Sequence, residues 1–446
     1  MAGNTQTDLA YVRTEMAPTM APPASTVGIV GWMRANLFAD TLNTVLTFIG
    51  IYLLYALISV VVDWAFLRAV WTGEDNQACL PDVVGFKVGA CWAFVNAKFS
   101  QFVYGRYPFD ERWRVDITFL VGAIGVAWMM IENLPYRKWA ALFMVAAFPV
   151  MALILLTGGN FELSSGSWKV FSLLTIVALV GVAVFGIRAQ TKGSDFDLST
   201  ALMIPAAFLA YLFVIFFLCD FDFGLNQVET SLWGGLLVTL VVAITGIVAS
   251  LPIGILLALG RRSSMPIVRM SSVIFIEFWR GVPLITVLFM SSVMLPLFLP
   301  EGVNFDKLLR CLIGVALFSA AYMAEVVRGG LQAIPKGQYE GAQALGLPYW
   351  KMMGLIVLPQ ALKLVIPGIV NTFIGLFKDT TLVLIIGLFD LLGIIQLNVT
   401  ADAKWFAPSV HNTGYVFAGL AFWVFCFGMS RYSIFMENKL HTGHKR

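Results

Sequence analysis

Charge is scarce in this chain. Asp, Glu, Lys and Arg make up 12% of its 446 residues, against 59% hydrophobic ones. No water-soluble domain of that length hides so much apolar surface, so the composition excludes a soluble globular protein and points to a polytopic membrane protein. Histidine is rarer still: His411, His441 and His444 form no metal-ligand spacing, and the five cysteines include no C-x-x-C pair. Neither a zinc site nor a redox centre is expected. No G-x-x-x-x-G-K-[ST] phosphate loop occurs, so the chain cannot itself be an ATPase. The first 40 residues lack an early apolar run, which argues against a cleavable signal peptide. A net charge of +3 offers no basis for a nucleic-acid partner.

What is present is a series of long apolar runs. Runs of about 20 residues match a bilayer core of roughly 30 Å and must fold as helices. Ten spans are expected, near 44–62, 117–134, 139–157, 169–187, 201–219, 232–260, 271–298, 308–327, 362–396 and 414–430. The segment 362–396 is long enough to be kinked or to carry a re-entrant turn. Residues 1–40 read as an arm whose end, "GIVGWMRANLFAD", forms either a short surface helix or no structure.

Lys and Arg in short loops set the orientation. The loops with Arg137–Lys138, Arg188–Lys192, Arg261–Arg262–Arg269 and Lys336–Lys351–Lys363, and the tail with Lys439, Lys445 and Arg446, share one side if both termini are cytoplasmic. Residues 63–116 then form a long outer loop holding Cys79 and Cys91. An oxidising compartment there permits a Cys79–Cys91 disulfide. The alternative is two unpaired buried cysteines.

Composition shifts near residue 220. Beyond it Glu277, Arg280, Glu325, Arg328, Lys378, Asp379 and Asp390 lie in or beside apolar runs. Charges at that depth cost at least a few kcal/mol each on insertion scales, so they face protein or water. The chain therefore divides into an arm (1–40), an accessory bundle (41–219) and a working core (220–446). Glu277 and Arg280, at i,i+3, form an ion pair at a helix end or else line a substrate path, with Arg280 holding a carboxylate. Glu325 and Arg328 repeat the spacing and are expected to fix the end of their span. Lys378 and Asp379 belong either to a kink-stabilising network or to the pathway.

The most informative stretch is "QYEGAQALGLPYWKMMGLIVLPQ", residues 338–360, too polar to be a span. Small residues Gly341, Ala342 and Ala344 let a helix approach another backbone closely. Gly346 followed by Leu347-Pro348 ends that helix. A second short helix follows, and Pro359 precedes the next span. A helix–turn–helix with a small-residue face and one acidic residue has the form of a docking surface. It contains no nucleophile–base pair.

This stretch resembles the E-A-A-x-x-x-G-x9-I-x-L-P cytoplasmic signature of ABC importer permeases. Glu340, Ala342, Gly346, Ile356, Leu358 and Pro359 match in spacing, and Gly341 departs from it by replacing the first Ala. "FIEFWRGVPLI", "AYMAEVVRGGLQAIPKGQYEGAQALG" and "FKDTTLVLIIGLFDLL" are similar to the polar amino-acid uptake permeases. The front half, with "GRYPFDERWR" and "SLWGGLLVTL", resembles the larger permease subunit of general L-amino acid, or glutamate/glutamine/aspartate/asparagine, importers of Gram-negative bacteria. The similarity covers 220–446 and 40–160, and residues 164–219 stand outside it.

The resemblance implies an all-α inner-membrane protein in which accessory helices precede a five-helix type I importer core with a coupling loop at 329–360. It implies a second permease in a heterodimer, two ATP-binding subunits that use ATP and Mg, a periplasmic amino-acid-binding protein and an L-amino acid substrate. The chain itself would bind no cofactor or metal. Glu340, Gly341, Ala342, Ala344, Leu345, Gly346, Ile356, Leu358 and Pro359 would couple it to the ATPase, which drives alternating access. The alternative is a secondary transporter driven by an ion gradient. No repeat relates the two halves, however, and the docking stretch would have no purpose there.

Overall fold

In hydrocarbon every backbone N–H and C=O needs a partner within the protein, which a helix supplies from its own segment. The computed structural model describes residues 28–131, 133–159, 198–298 and 306–440, with isolated positions between 168 and 180. Among the described residues the elements are helices joined by turns, with isolated bridges and no extended strand. Among the described residues, seven helices are long and apolar enough to cross a membrane: Thr41–Leu67, Phe109–Met130, Arg137–Thr157, Gly235–Arg261, Lys307–Ala333, Ile366–Ile386 and Pro408–Leu440. The pair Pro266–Gly281 and Leu284–Phe298, bent by 103°, forms an eighth. The expected span 201–219 lies within the helix Leu198–Asp220. Most of the expected span 169–187, the Arg188–Lys192 loop, the first 27 residues and the basic tail end lie outside the described residues. The end of the N-terminal arm forms the helix Gly28–Asn36, with Ile29, Val30 and Trp32 exposed.

Two spans are broken, each for a local reason. Val282 stands before Pro283 and is extended (φ −109°, ψ 132°), as a residue preceding proline prefers, and the 103° bend falls there. The expected single segment 362–396 is two pieces. The helix Ile366–Asp379 tightens into a 3₁₀ turn over Thr380–Ile386 and stops at Gly387, whose φ of +74° ends it. Asp390 then caps a new helix, Leu391–Ala401, by accepting hydrogen bonds from the N–H groups of Leu392 and Gly393.

The helices Gly235–Arg261 and Lys307–Ala333 form the centre. Thirteen residues of the latter are buried, among them Gly314, Ser319, Ala320, Ala321, Ala324 and Gly330, whose small size lets neighbouring backbones come close. At Gly254 a Cβ would stand 2.8 Å from Met323 Cβ, so glycine is required there. By contrast, no residue of Thr41–Val62 is buried.

Of the expected loop 63–116, residues 68–108 fold into a cap on one end of this core, while 63–67 and 109–116 extend the flanking spans. A disulfide joins Cys79 to Cys91 with the Cα atoms 5.9 Å apart. The helix Trp92–Tyr104 then presents Phe94 to Trp405 and Phe102 to Phe417. The cap is fastened by Cys91 N donating to Thr413 Oγ1 (2.8 Å), Ser409 Oγ donating to Cys79 O (3.1 Å) and a Lys98–Asp402 ion pair (2.5 Å). That Lys98 contact holds the Asp402 carboxyl below its ordinary pKa. The pair thus adds stability above the unfolded carboxylate pKa that is lost as pH falls through the lower, folded value. Gly105 lies against Gly234, where a Cβ would be 2.4 Å from the Gly234 Cα. Burial pushes the Tyr107 phenol up to about 12, so it remains a donor to Leu156 O at 2.9 Å. The accessory bundle and the core meet in one hydrophobic cluster, with Tyr107, Val115 and Leu156 packed alongside Trp233, Leu237 and Val315. Their compositional boundary near 220 is not a gap in the packing.

Cys219, Cys311 and Cys426 carry free thiols. A thiol titration of denatured, unreduced protein therefore gives three thiols, and reductant raises the count to the full five. Replacing Cys79 and Cys91 together by Ala costs about 2–4 kcal/mol of cap stability, read as faster amide exchange through 76–104.

Candidate coupling site

The stretch between the spans Lys307–Ala333 and Ile366–Ile386 is shaped by its prolines and glycines. Ile334 is extended before Pro335, which opens the helix Lys336–Ala344. That helix closes at Gly346 (φ +70°): Gly346 N donates to Gln343 O at 2.9 Å and Leu347 N to Ala342 O at 3.2 Å. This is the Schellman pairing, accompanied as usual by an apolar contact, here Leu347 with the cluster around buried Ala342. Pro348 opens the helix Tyr349–Met352. Pro359 has no N–H, and its ring would strike the carbonyl of Leu355. The backbone widens into a π turn over Met353–Val357 before Leu358–Leu364 resumes the α form.

The nine motif residues fall into two sets. Glu340, Gly341, Ala344, Leu345, Gly346 and Pro359 are exposed, with Leu345 at 77%. Ala342 is buried, and Ile356 and Leu358 pack against the same cluster, together with Met352, Met353, Val357 and Ala361. Small residues were expected to form one approach face. Ala342 instead turns inward to seat the helix on its own chain, because it is the position that meets the base of the span. A Cβ at Gly341 would meet nothing within 4 Å, so alanine fits there without any shift of this chain. Trp350 (69%) and Leu355 (70%) add exposed apolar surface beside Leu345.

Arg262, at the end of the helix Gly235–Arg261, holds this unit in place. Its guanidinium donates to Leu331 O and to the Tyr339 hydroxyl, both at 3.0 Å, and lies 5.4 Å from the Tyr339 ring centre. The Tyr339 hydroxyl donates in turn to Leu331 O at 3.2 Å. Sequence reading did not find this arrangement. Arg262 and Tyr339 are 77 residues apart, and no spacing rule joins them. The only local sign was an arginine just past the end of a span.

The charged residues beside the site are placed differently from expectation. Glu277 and Arg280 share a helix face, but each turns to another helix. Arg261 reaches Glu277 at 2.9 Å and Glu325 at 2.7 Å, and Arg280 stands 3.7 Å from Glu325. Arg328 donates twice to Glu325, at 2.9 and 2.7 Å. One carboxylate thus gathers three guanidinium groups from three helices, which satisfies more charge than an isolated i,i+3 pair would. Lys378 and Asp379 were expected as buried neighbours. Lys378 is exposed and Asp379 half-buried, and among the described residues neither enters an ion pair.

A stack of apolar helices carrying an exposed, pinned helix–turn–helix outside its spans fits an ABC permease, and the similarity to known proteins shows that class. Residues 250–437 match the family described as "Binding-protein-dependent transport system inner membrane component". The chain is 47% identical over 412 residues to the inner membrane amino-acid ABC transporter permease protein YhdY of Escherichia coli, covering 92% of this chain and 93% of that one. It is 43% identical to the glutamate/glutamine/aspartate/asparagine transport system permease protein BztC of Rhodobacter capsulatus, covering 98% and 100%. A crystal structure titled as an amino acid ABC transporter with histidines aligns at 27% identity and a TM-score of 0.41, covering 46% of this chain and 92% of that one. The chain belongs to the amino-acid ABC transporter permeases, multi-pass proteins of the inner membrane that work with an ATPase and a binding protein.

Gly346→Val forces a branched residue into the left-handed region at a cost of about 1–2 kcal/mol, and amide exchange over Lys336–Ala344 accelerates accordingly. Gly341→Ala has the opposite sign: it firms the same helix by up to about 1 kcal/mol, read as slower exchange.

Proposed function

We propose that this chain is one of two permease subunits of an importer that moves L-amino acids, polar ones among them, from the periplasm to the cytoplasm by alternating access. Two ATP-binding partner subunits hold ATP and Mg and supply the hydrolysis, and a periplasmic binding protein delivers the substrate. This chain contributes no ATPase chemistry. Both termini and the Lys336–Pro359 unit face the cytoplasm, and the disulfide-closed cap faces the periplasm. The observation that carries this reading is the exposed surface at Glu340, Leu345 and Trp350 on a helix–turn–helix whose first helix is anchored to two central spans through Tyr339 and Arg262. A surface that is apolar, outside the membrane and rigidly joined to the transport core can pass on a push.

On this reading the motif residues have distinct tasks. Glu340, Gly341, Ala344, Leu345, Gly346 and Pro359 lie toward the ATPase, whereas Ala342, Ile356 and Leu358 hold the unit to its own chain. Lys378 and Asp379 offer a cation and an anion side by side in a span, which suits the carboxylate and ammonium groups of an amino acid. Glu277 and Arg280 act on the path through the ionic cluster around Glu325, which links three helices where they approach the coupling unit. A gradient-driven transporter would leave this exposed unit without a task.

In a reconstituted complex, Glu340→Lys lowers co-purification of the ATPase subunits and substrate-stimulated ATP hydrolysis, with membrane insertion unchanged. Full co-purification and full hydrolysis by the variant would refute the docking assignment. Lys378→Ala lowers amino-acid uptake about 10- to 100-fold, the worth of one charge-assisted hydrogen bond, while the ATPase still co-purifies. Uptake at the parental rate removes Lys378 from the pathway.

A further inference from the structure

The ionic cluster does not consume all the positive charge gathered near it. A cavity of about 460 Å³ opens beside it, lined by Arg261, Arg262, Arg269, Val273, Arg328 and Gln332. Two carboxylates, Glu277 and Glu325, serve the arginines here, and both are already shared with Arg261. Arg262 is engaged with a carbonyl and a tyrosine, neither of which carries charge. Arg269 is exposed, and among the described residues it enters no ion pair. The cavity wall is therefore a set of guanidinium groups in excess of their counter-charges, with an amide at Gln332 as a further donor.

The helix carrying Arg269 shows where this cavity lies. Ile267, Met270, Ile274 and Phe278 recur at i, i+3, i+7 and i+11 along Pro266–Gly281 and are all exposed, from 49% to 76%. Ser272 and Ile276 face the core and are buried. Arg269, Val273 and Arg280 occupy the sector between these two stripes. The basic cavity is thus flanked by an exposed apolar stripe and sits where the ends of two central helices leave the apolar spans. Planar guanidinium groups bind phosphate oxygens in pairs, and basic pockets between helix ends at a membrane surface suit anionic head groups.

We infer that this cavity is a phosphate-binding site, taken by the phosphate group of an anionic phospholipid or by free inorganic phosphate. Arg269 and Arg328 grip it and Arg261 and Arg262 complete the charge. Because Arg262 also holds Tyr339, a bound phosphate lies one side chain away from the coupling helix. The site needs no reaction and no metal.

The test uses the full-length chain in nanodiscs of phosphatidylcholine, with and without phosphatidylglycerol. Arg269→Gln is the principal variant, since among the described residues Arg269 enters no ion pair, and Arg269→Lys keeps the charge without the fork. In the lipid arm, native mass spectrometry of the released protein counts retained phosphatidylglycerol against phosphatidylcholine. Preferential retention that falls about fivefold in Arg269→Gln, the weight of one arginine at a membrane surface, and recovers in part in Arg269→Lys assigns the site to lipid. In the second arm, inorganic phosphate is added to neutral nanodiscs. A rise in the thermal midpoint that Arg269→Gln abolishes assigns it to free phosphate. No preference for the anionic lipid together with no response to phosphate overturns the proposal, as does a preference or response that Arg269→Gln leaves unchanged.

Discussion

Apolar helices surrounded by lipid gain little from hiding apolar surface against one another, so they hold together by close packing and a few polar ties. Here that burden rests on one helix pair. Gly235–Arg261 and Lys307–Ala333 meet through glycine, alanine and serine, and Gly254 leaves no room for even a methyl group against Met323. The rest of the chain is arranged on this pair. The cap closes on one end of it, the ionic cluster ties the bent helix Pro266–Gly281 to it, and Arg262 suspends the helix Lys336–Ala344 from the other end. That unit is thereby tied to both packed spans at once.

The charges beside the pair serve the same end. Glu325 accepts from Arg261 and Arg328 and draws in Arg280, so three helices share a carboxylate that is largely removed from water. Such a junction is stiff while all partners are present and costly to leave half-made. The bend at Val282–Pro283 sits just beyond it. The helix before the bend is fixed to the junction, and the helix after it turns away and packs Leu284, Val287 and Leu288 into the core.

Much of this was readable in the sequence. Apolar runs placed most of the spans, Gly346 and the prolines placed the turns of the 338–360 stretch, and the length of 362–396 already allowed a break, although its position at Gly387 came only with the structure. These are local signals, carried by residues close together in the chain. What could not be read is what depends on distant residues. Glu277 and Arg280 have the spacing of a pair, yet their partners come from helices 16 and 45 residues away. Tyr339 reads as one more aromatic residue until Arg262 stands beside it. Ala342 and Ala344 look alike in sequence, and only the packing of the span base shows that the first turns inward and the second outward.

The cap has a bearing on how the protein is made. Its own disulfide is short-range, twelve residues from end to end. Its fastening is not: Cys91 bonds to Thr413, 322 residues later, and Cys79 to Ser409, 330 residues later. Chains are synthesised from the N-terminus at about 5–20 residues per second. The cap must therefore wait on the order of tens of seconds, with Phe94 and Phe102 uncovered, until the segment Leu391–Thr413 emerges to receive them. The Cys79–Cys91 bond lets the earliest folded piece keep its shape through that interval, so that the last spans of the chain meet a surface already formed.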